Sequence, residues 1–310
     1  MNSKFTRVLP LLAGSVGALQ AATSTAQSSM GNFYYSGKAE LEFLLTNTTE
    51  DSVLMTNLDF GLAPGSARSS IGFGLDFGLD ILTRNGNVDE AIYAAGSIDT
   101  DFGRFSIGIP RPVIDTYVNM PAIGGTEGLA PGTISPFQMS SASYRYQFDG
   151  DLPLGARYDG DMGGVLVAAS YHYLEGPDVG VLDLLGQVDM NAITLTGALE
   201  FVDLGAAGED LNVMLSAEAD MGTFRGGVLL SDVQDLAIPA SALTGYATIS
   251  PMRDLDLTAS LIAIEQGTNN ITGYGLSAEY QFMPVAYGQV GIADFDGQEA
   301  VLDLSIGAKF

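Results

Sequence analysis

Apolar and polar residues alternate with period two along most of this chain, most plainly between Val301 and Phe310. There Leu302, Leu304, Ile306, Ala308 and Phe310 fall on one face of an extended strand, and Asp303, Ser305, Gly307 and Lys309 on the other. Successive strand side chains point to opposite faces, so one face meets an apolar phase and the other a wet one. A strand of a soluble sandwich shows the same pattern, but less often as a final segment ending on an aromatic.

The same beat recurs upstream. Phe33, Tyr35, Gly37, Ala39, Leu41, Phe43 and Leu45 share one face, against Lys38, Glu40 and Glu42 on the other. A weaker stretch covers 53–62, with Pro64-Gly65 after it. Between Ser69 and Arg84, Ile71, Phe73, Leu75, Phe77, Leu79 and Ile81 oppose Asp76, Asp80 and Arg84. Residues 90–98 and 102–109 form a hairpin across Asp99-Thr100-Asp101. From 180 the strands come in pairs: 180–189 with 191–202, 210–219 with 222–232, 241–250 with 254–265, 270–282 with 284–295, then 299–310. Short turns within pairs and longer polar connections between them match the two unequal rims of a membrane barrel. Hydrophobic residues make up 46% of the chain, yet beyond residue 26 nothing resembles the ~18 consecutive apolar residues of a membrane helix. Plentiful apolar character cut into alternation predicts an all-β, transmembrane antiparallel barrel of about sixteen strands. A β-rich soluble protein is the alternative.

The rhythm breaks from Pro110 to about Gln138. Prolines at 110, 112, 121, 131 and 136 and glycines at 124, 125, 128 and 132 remove ladder donors and weaken strands, so a long loop is predicted there. Its apolar residues, among them Val113, Ile114, Ile123, Ile134 and Phe137, imply packing, which a loop folded into the barrel mouth satisfies. After it, alternation of Tyr144, Tyr146 and Phe148 with Arg145 and Gln147 predicts strand pieces around Asp149-Gly150-Asp151.

Residues 1–26 read as an export signal: Lys4 and Arg7 precede an apolar stretch to Ala22, and Ser24-Thr25-Ala26 sets a cleavage site before Gln27. The single expected domain is then 27–310. A formal charge of −25 leaves no basic stripe to neutralise phosphates, which argues against nucleic acid, and no Cys is present for a disulfide or thiolate site. The only histidine, His172, lies beside Ser170, which is insufficient for a triad, and reads as a solvent-facing residue near a rim. Asp294, Asp296 and Glu299 lack the full spacing of a calcium loop; a turn is the simpler reading and a rim calcium the other, with no cofactor otherwise expected. Gly72-Phe73-Gly74-Leu75-Asp76-Phe77-Gly78 misses the dinucleotide spacing and is periodic strand. Tyr34, Tyr35, Tyr144, Tyr146, Tyr171, Tyr173, Tyr280, Phe282 and Phe310 suit interfacial aromatic girdles.

Ala156-Arg157-Tyr158-Asp159, a Gly-rich turn and Val165–Tyr171 together resemble the hairpin that follows the constriction loop in the general porins of gram-negative bacteria. The long loop after the fifth strand and the terminal Phe310 are similar to that family too. The Glu-Phe-Gly-Gly-type core of its loop is absent; Ala122-Ile123-Gly124-Gly125-Thr126-Glu127 is the nearest match. The resemblance implies an outer-membrane homotrimer, in contact with lipid and lipopolysaccharide, that passes ions and small hydrophilic solutes. It also implies a pore constriction with Lys38, Arg84, Arg104, Arg145 and Arg157 facing the loop acids Asp115 and Glu127, and with Glu40 and Glu42 on the same lumen face. The acid excess predicts a cation-favouring mouth. The competing expectation is a plugged barrel whose long loops serve adhesion or surface structure.

Overall fold

The computed structural model describes residues 33–62, 71–129 and 134–310, with Leu129 and Ala207 as backbone only. The segment 1–26, Pro64-Gly65, Ser69, Pro131 and Gly132 lie outside the described residues. Sixteen antiparallel strands close on themselves. They are β1 (Phe33–Leu45), β2 (Glu50–Leu62), β3 (Gly72–Arg84), β4 (Asn87–Thr100), β5 (Gly103–Ile109), β6 (Pro153–Asp161), β7 (Val165–Leu174) and β8 (Val179–Met190), followed by β9 (Ile193–Asp203), β10 (Glu209–Asp220), β11 (Phe224–Val233), β12 (Ala240–Met252), β13 (Leu255–Gln266), β14 (Asn269–Gln281), β15 (Ala286–Phe295) and β16 (Val301–Lys309). Each pairs with its sequence neighbours, and β16 closes onto β1 with Leu41 opposite Ile306. The closure extends to the last residue, where Gly37 and Phe310 exchange backbone hydrogen bonds of 2.8 and 3.0 Å. A closed sheet leaves no unpaired edge, the condition for crossing lipid with strands. No described helix is long and apolar enough to cross a membrane.

The strand phases follow the alternation. In β3, Phe73, Leu75 and Phe77 are exposed while Gly74, Gly78 and Leu82 are buried. Across the β2–β3 register Phe60 meets Phe77, their rings 5.3 Å apart. Outward Phe73, Ile107 and Leu276 are 75%, 72% and 62% exposed, and similar side chains recur on strand after strand. Such a continuous apolar belt is a surface for lipid. Outward Tyr171, Tyr173, Tyr280 and Phe282 belong to it, and Tyr35 packs 6.0 Å from the Phe310 ring. Tyr34 instead turns inward to Asp76.

Two expectations require correction. Between pairs, 204–208, 234–239 and 296–300 are longer than the turns within pairs, as expected, but 267–268 is not, and 46–49, 85–86 and 175–178 on the same rim are short too. Asn85-Gly86 closes β3–β4 with both residues at positive φ (52 and 82), the geometry that matches strand twist in a tight hairpin. The second correction is at 141–149, which is helical and extends the long connection to 110–152. Ser140 caps helix α2 (Ser141–Tyr144), accepting from the Ala142 N–H, and Arg145–Asp149 continues as a π turn. Gly150 ends it in the left-handed conformation (φ 79). Tyr144 and Phe148 pack as a helical i, i+4 pair, rings tilted and 5.0 Å apart, and do not alternate across a strand. Tyr144 and Tyr146 therefore sit on the loop and not in a girdle.

Candidate functional site

The 110–152 segment is anchored around nearly the whole barrel. At its root, His172 Nε2 lies 2.8 Å from the Pro110 carbonyl, and the Val113 N–H donates to Ser170 Oγ at 3.0 Å. Helix α1 (Val113–Tyr117) buries Val113 and Ile114 among Ala168, Leu185, Ala198, Met214 and Leu229 of β7–β11. The chain then reaches the far wall. Gly124 donates to Ser260 Oγ of β13 at 2.9 Å, and Gln289 of β15 donates to the Gly125 carbonyl at 2.8 Å. Gly124 has φ 65, and a Cβ on either Gly275 or Gly291 would collide with its backbone, so three glycines allow this approach.

Next, the Glu127 and Gly128 N–H groups both donate to the Glu42 carboxylate at 2.8 Å, and Arg84 holds the Gly128 carbonyl at 3.3 Å. On the return, Ile134 and Phe137 pack with Val233, Ala242, Ile262 and Phe295. Glu200 of β9 then accepts from Ser140 Oγ, the Ser141 N–H and Ser141 Oγ at 2.6, 2.9 and 2.6 Å. Every wall residue in these contacts is on the face opposite the apolar belt. The loop's own Asp115 is half-buried; its Oδ1 accepts from the Ser140 N–H at 2.7 Å. Burial pushes its pKa up to about 7 against the opposing pull of Ser143, Ser140 and Arg111.

Between this segment and β1–β6 lies a cavity of about 750 Å³. Arg104 bonds Asp76 and Ser97 at 2.6 and 2.7 Å. Arg111 bonds Asp80 at 2.5 and 3.0 Å and Asp59 at 3.0 Å, and its guanidinium lies 4.4 Å from the Tyr93 ring centre. Arg157 is held by Asp159 at 2.6 and 2.7 Å and by Thr116 Oγ1 at 2.7 Å. Tyr117 donates to Asp159 at 2.8 Å; burial, then Asp159, raises that phenol to about 12. Lys38 meets Glu40 and Glu127, each at 3.1 Å.

Of the residues predicted for a constriction, Lys38, Arg104, Arg157, Asp115 and Glu127 therefore line one cavity. Glu42 tethers the loop, and Glu40 is buried behind Lys38, where it accepts from Tyr287. Arg84 lies near the rim with Asp51 at 2.8 Å, and Arg145 is on the loop helix, 3.7 Å from Asp235. The basic groups are not ranged against loop acids: most of their partners belong to the wall itself. Sequence reasoning missed Arg111, Asp59 and the role of Gly78. The inward Gly74, Asp76, Gly78 and Asp80 of β3 alternate, and a Cβ on Gly74 or Gly78 would sit 3.3 or 3.0 Å from the Arg104 or Arg111 guanidinium. Glycine makes room for each arginine and aspartate pairs with it.

His172 is fully buried, which corrects the rim reading. At the suggested calcium turn, Asp294 accepts from Tyr274, Asp296 from the Thr272 N–H and Glu299 from Thr48. Among the described residues no three His, Cys, Asp or Glu side chains are placed to hold a metal.

No family model matches the chain, and no curated protein does. Solved structures do match. A porin structure refined at 1.8 Å has a TM-score of 0.66 at 16% identity, covering 90% of this chain and 100% of that one. A mutant of the Rh. blastica porin has a TM-score of 0.67 at 15% identity, over 90% and 100%. The Vibrio cholerae outer membrane protein OmpT, folded in vitro and in a trimer form, has a TM-score of 0.62 at 17% identity, over 90% and 98%. At such identities the likeness is one of fold: the chain has the closed barrel of these porins.

Proposed function

We propose that the chain is an outer-membrane porin through which ions and small hydrophilic solutes diffuse, with cations favoured. The observation that carries this reading is the pairing of an apolar outer belt with a charged cavity of about 750 Å³ between the loop and β1–β6. A barrel of sixteen strands is too wide for side chains to fill, so a lumen remains unless a segment occupies it. The loop crosses that lumen and leaves the charged quadrant as the passage. Fixed carboxylates there attract counter-ions and repel anions.

Residues 1–26 would direct export and leave 27–310 as one barrel domain in outer-membrane lipid and lipopolysaccharide. The trimer form of the Vibrio cholerae relative supports a homotrimer. Diffusion needs no cofactor and no covalent step, and His172, with Nε2 against a carbonyl, is placed to brace the loop root. The short connections on the loop-bearing rim offer little reach for the adhesive alternative.

The test is a planar bilayer. Purified, folded protein should give ohmic current steps grouped in threes, with a cation-selective reversal potential across a KCl gradient. Folded barrels that never conduct would reject the channel and favour the plugged reading.

A further inference from the structure

The arginines are the obvious candidates to set ion preference, yet two of those that line the cavity are largely covered. Arg111 and Arg157 side chains are only 14% and 12% exposed. Arg111 is pressed into the gap left by Gly78, between Tyr93, Asp80 and Asp59. Arg157 lies under Tyr117 with its Nε and Nη2 bonded to Asp159 and its Nη1 to Thr116 and the Arg111 carbonyl. Asp80 and Asp159 are as well covered, at 15% and 16%, but one partner is not. The Asp59 side chain is 39% exposed, more than Asp76, Glu127 or Asp159, the other ion-paired acids lining the cavity (28%, 30% and 16%). Its Oδ1 alone carries the bond to Arg111.

The local balance has the same sign. Lys38, Arg104, Arg111 and Arg157 are in ion-pair contact with Glu40, Glu127, Asp76, Asp99, Asp59, Asp80 and Asp159. Carboxylates outnumber the cations, and the doubly matched cations Lys38, Arg104 and Arg111 leave their second acids in excess. A covered, paired charge exerts little field on a passing ion; an exposed, half-paired one exerts more.

We infer that Asp59 is the specificity-determining residue of the passage: its exposed carboxylate, and not the arginine cluster, selects small cations, inorganic or ammonium-bearing, over anions of equal size. This rests on the channel reading above. The experiment compares wild type with Asp59→Asn, which keeps an oxygen for Arg111 to bond and removes one charge. Asp256→Asn, in β13 on the far wall, outside the cavity lining and paired with Arg225, serves as the charge control.

Reversal potentials are measured in bilayers across a KCl gradient near 0.1 M, with circular dichroism checking each barrel. We expect the cation-to-anion permeability ratio to fall about three- to five-fold in Asp59→Asn, the influence of a unit charge a few ångström away in water, and to change far less in Asp256→Asn. Replacing K⁺ by an ammonium ion should preserve the contrast. Equal ratios in wild type and Asp59→Asn, an equal fall in the control, or an anion-selective wild type would overturn the inference while leaving the channel intact. Absence of current from folded wild-type barrels would overturn both.

Discussion

The two halves of the barrel interior treat their inward positions differently. Over β1–β6 these positions carry Lys38, Asp59, Asp76, Arg104 and Arg157, and the space before them stays open. Over β7–β15 many are apolar, including Leu185, Ala198, Met214, Leu229, Ala242, Ile262 and Ala293, and the loop is packed onto them. An apolar residue facing water inside a channel gains nothing; facing a loop, it buries area at roughly 25 cal/mol per Å². On the channel reading, one wall seats the partition and the other forms the passage.

The strongest way to break that contrast is to evict the loop's tip. In Gly291→Ala the new Cβ would lie 1.8 Å from the Gly124 carbonyl oxygen, a backbone atom that cannot swing aside. Overpacking of this kind costs about 1–3 kcal/mol or more. Single-channel conductance should rise as the tip lifts, and an unchanged step size from folded protein would show that the tip does not narrow the passage.

Phe137→Ala attacks the same seating from the apolar side. Truncating this buried ring should cost about 3–5 kcal/mol of docking. Because the ladder is untouched, circular dichroism should stay constant while protease cleavage within 110–152 accelerates. Equal cleavage rates would show that the apolar seat does not hold the loop.

A titration sharpens the comparison. Asp115 is held near 7 in the folded chain against 3.8 for the free side chain. The folded state therefore binds a proton that the unfolded chain releases between those values. Its contribution is fully present below about 4 and is lost as pH rises through about 7, on the order of a few kcal/mol. Asp115→Asn cannot titrate, so the fall in unfolding temperature from pH 5 to pH 8 should shrink in that variant; an identical fall would remove Asp115 from the account.

The smallest effect belongs to the open half. Gly78→Ala brings a Cβ to 2.8 Å from Asp59 Oδ1 and 3.0 Å from an Arg111 nitrogen, both ends of side chains that can yield. Stability should change by less than about 1 kcal/mol, with a slight shift in conductance. A loss as large as that of Gly291→Ala would mean that the arginine cradle is as rigid as the glycine seat across the barrel.

Most strands, their phases and the place where the barrel's rhythm is interrupted are legible along the chain. Alternation is local, and lipid outside with water inside reads it one residue at a time. Even the inward column Gly74, Asp76, Gly78, Asp80 was visible as strand. What it does there was not: its glycines matter because Arg104 and Arg111 arrive from β5 and the loop root. Only the tertiary structure decided that Ser141–Tyr144 is a helix, since Glu200, 59 residues on, accepts its first hydrogen bonds. It also decided that Glu42 tethers the loop and that Asp59 is left exposed. Those outcomes depend on which distant groups meet across a closed ring, and no period along the chain encodes that meeting.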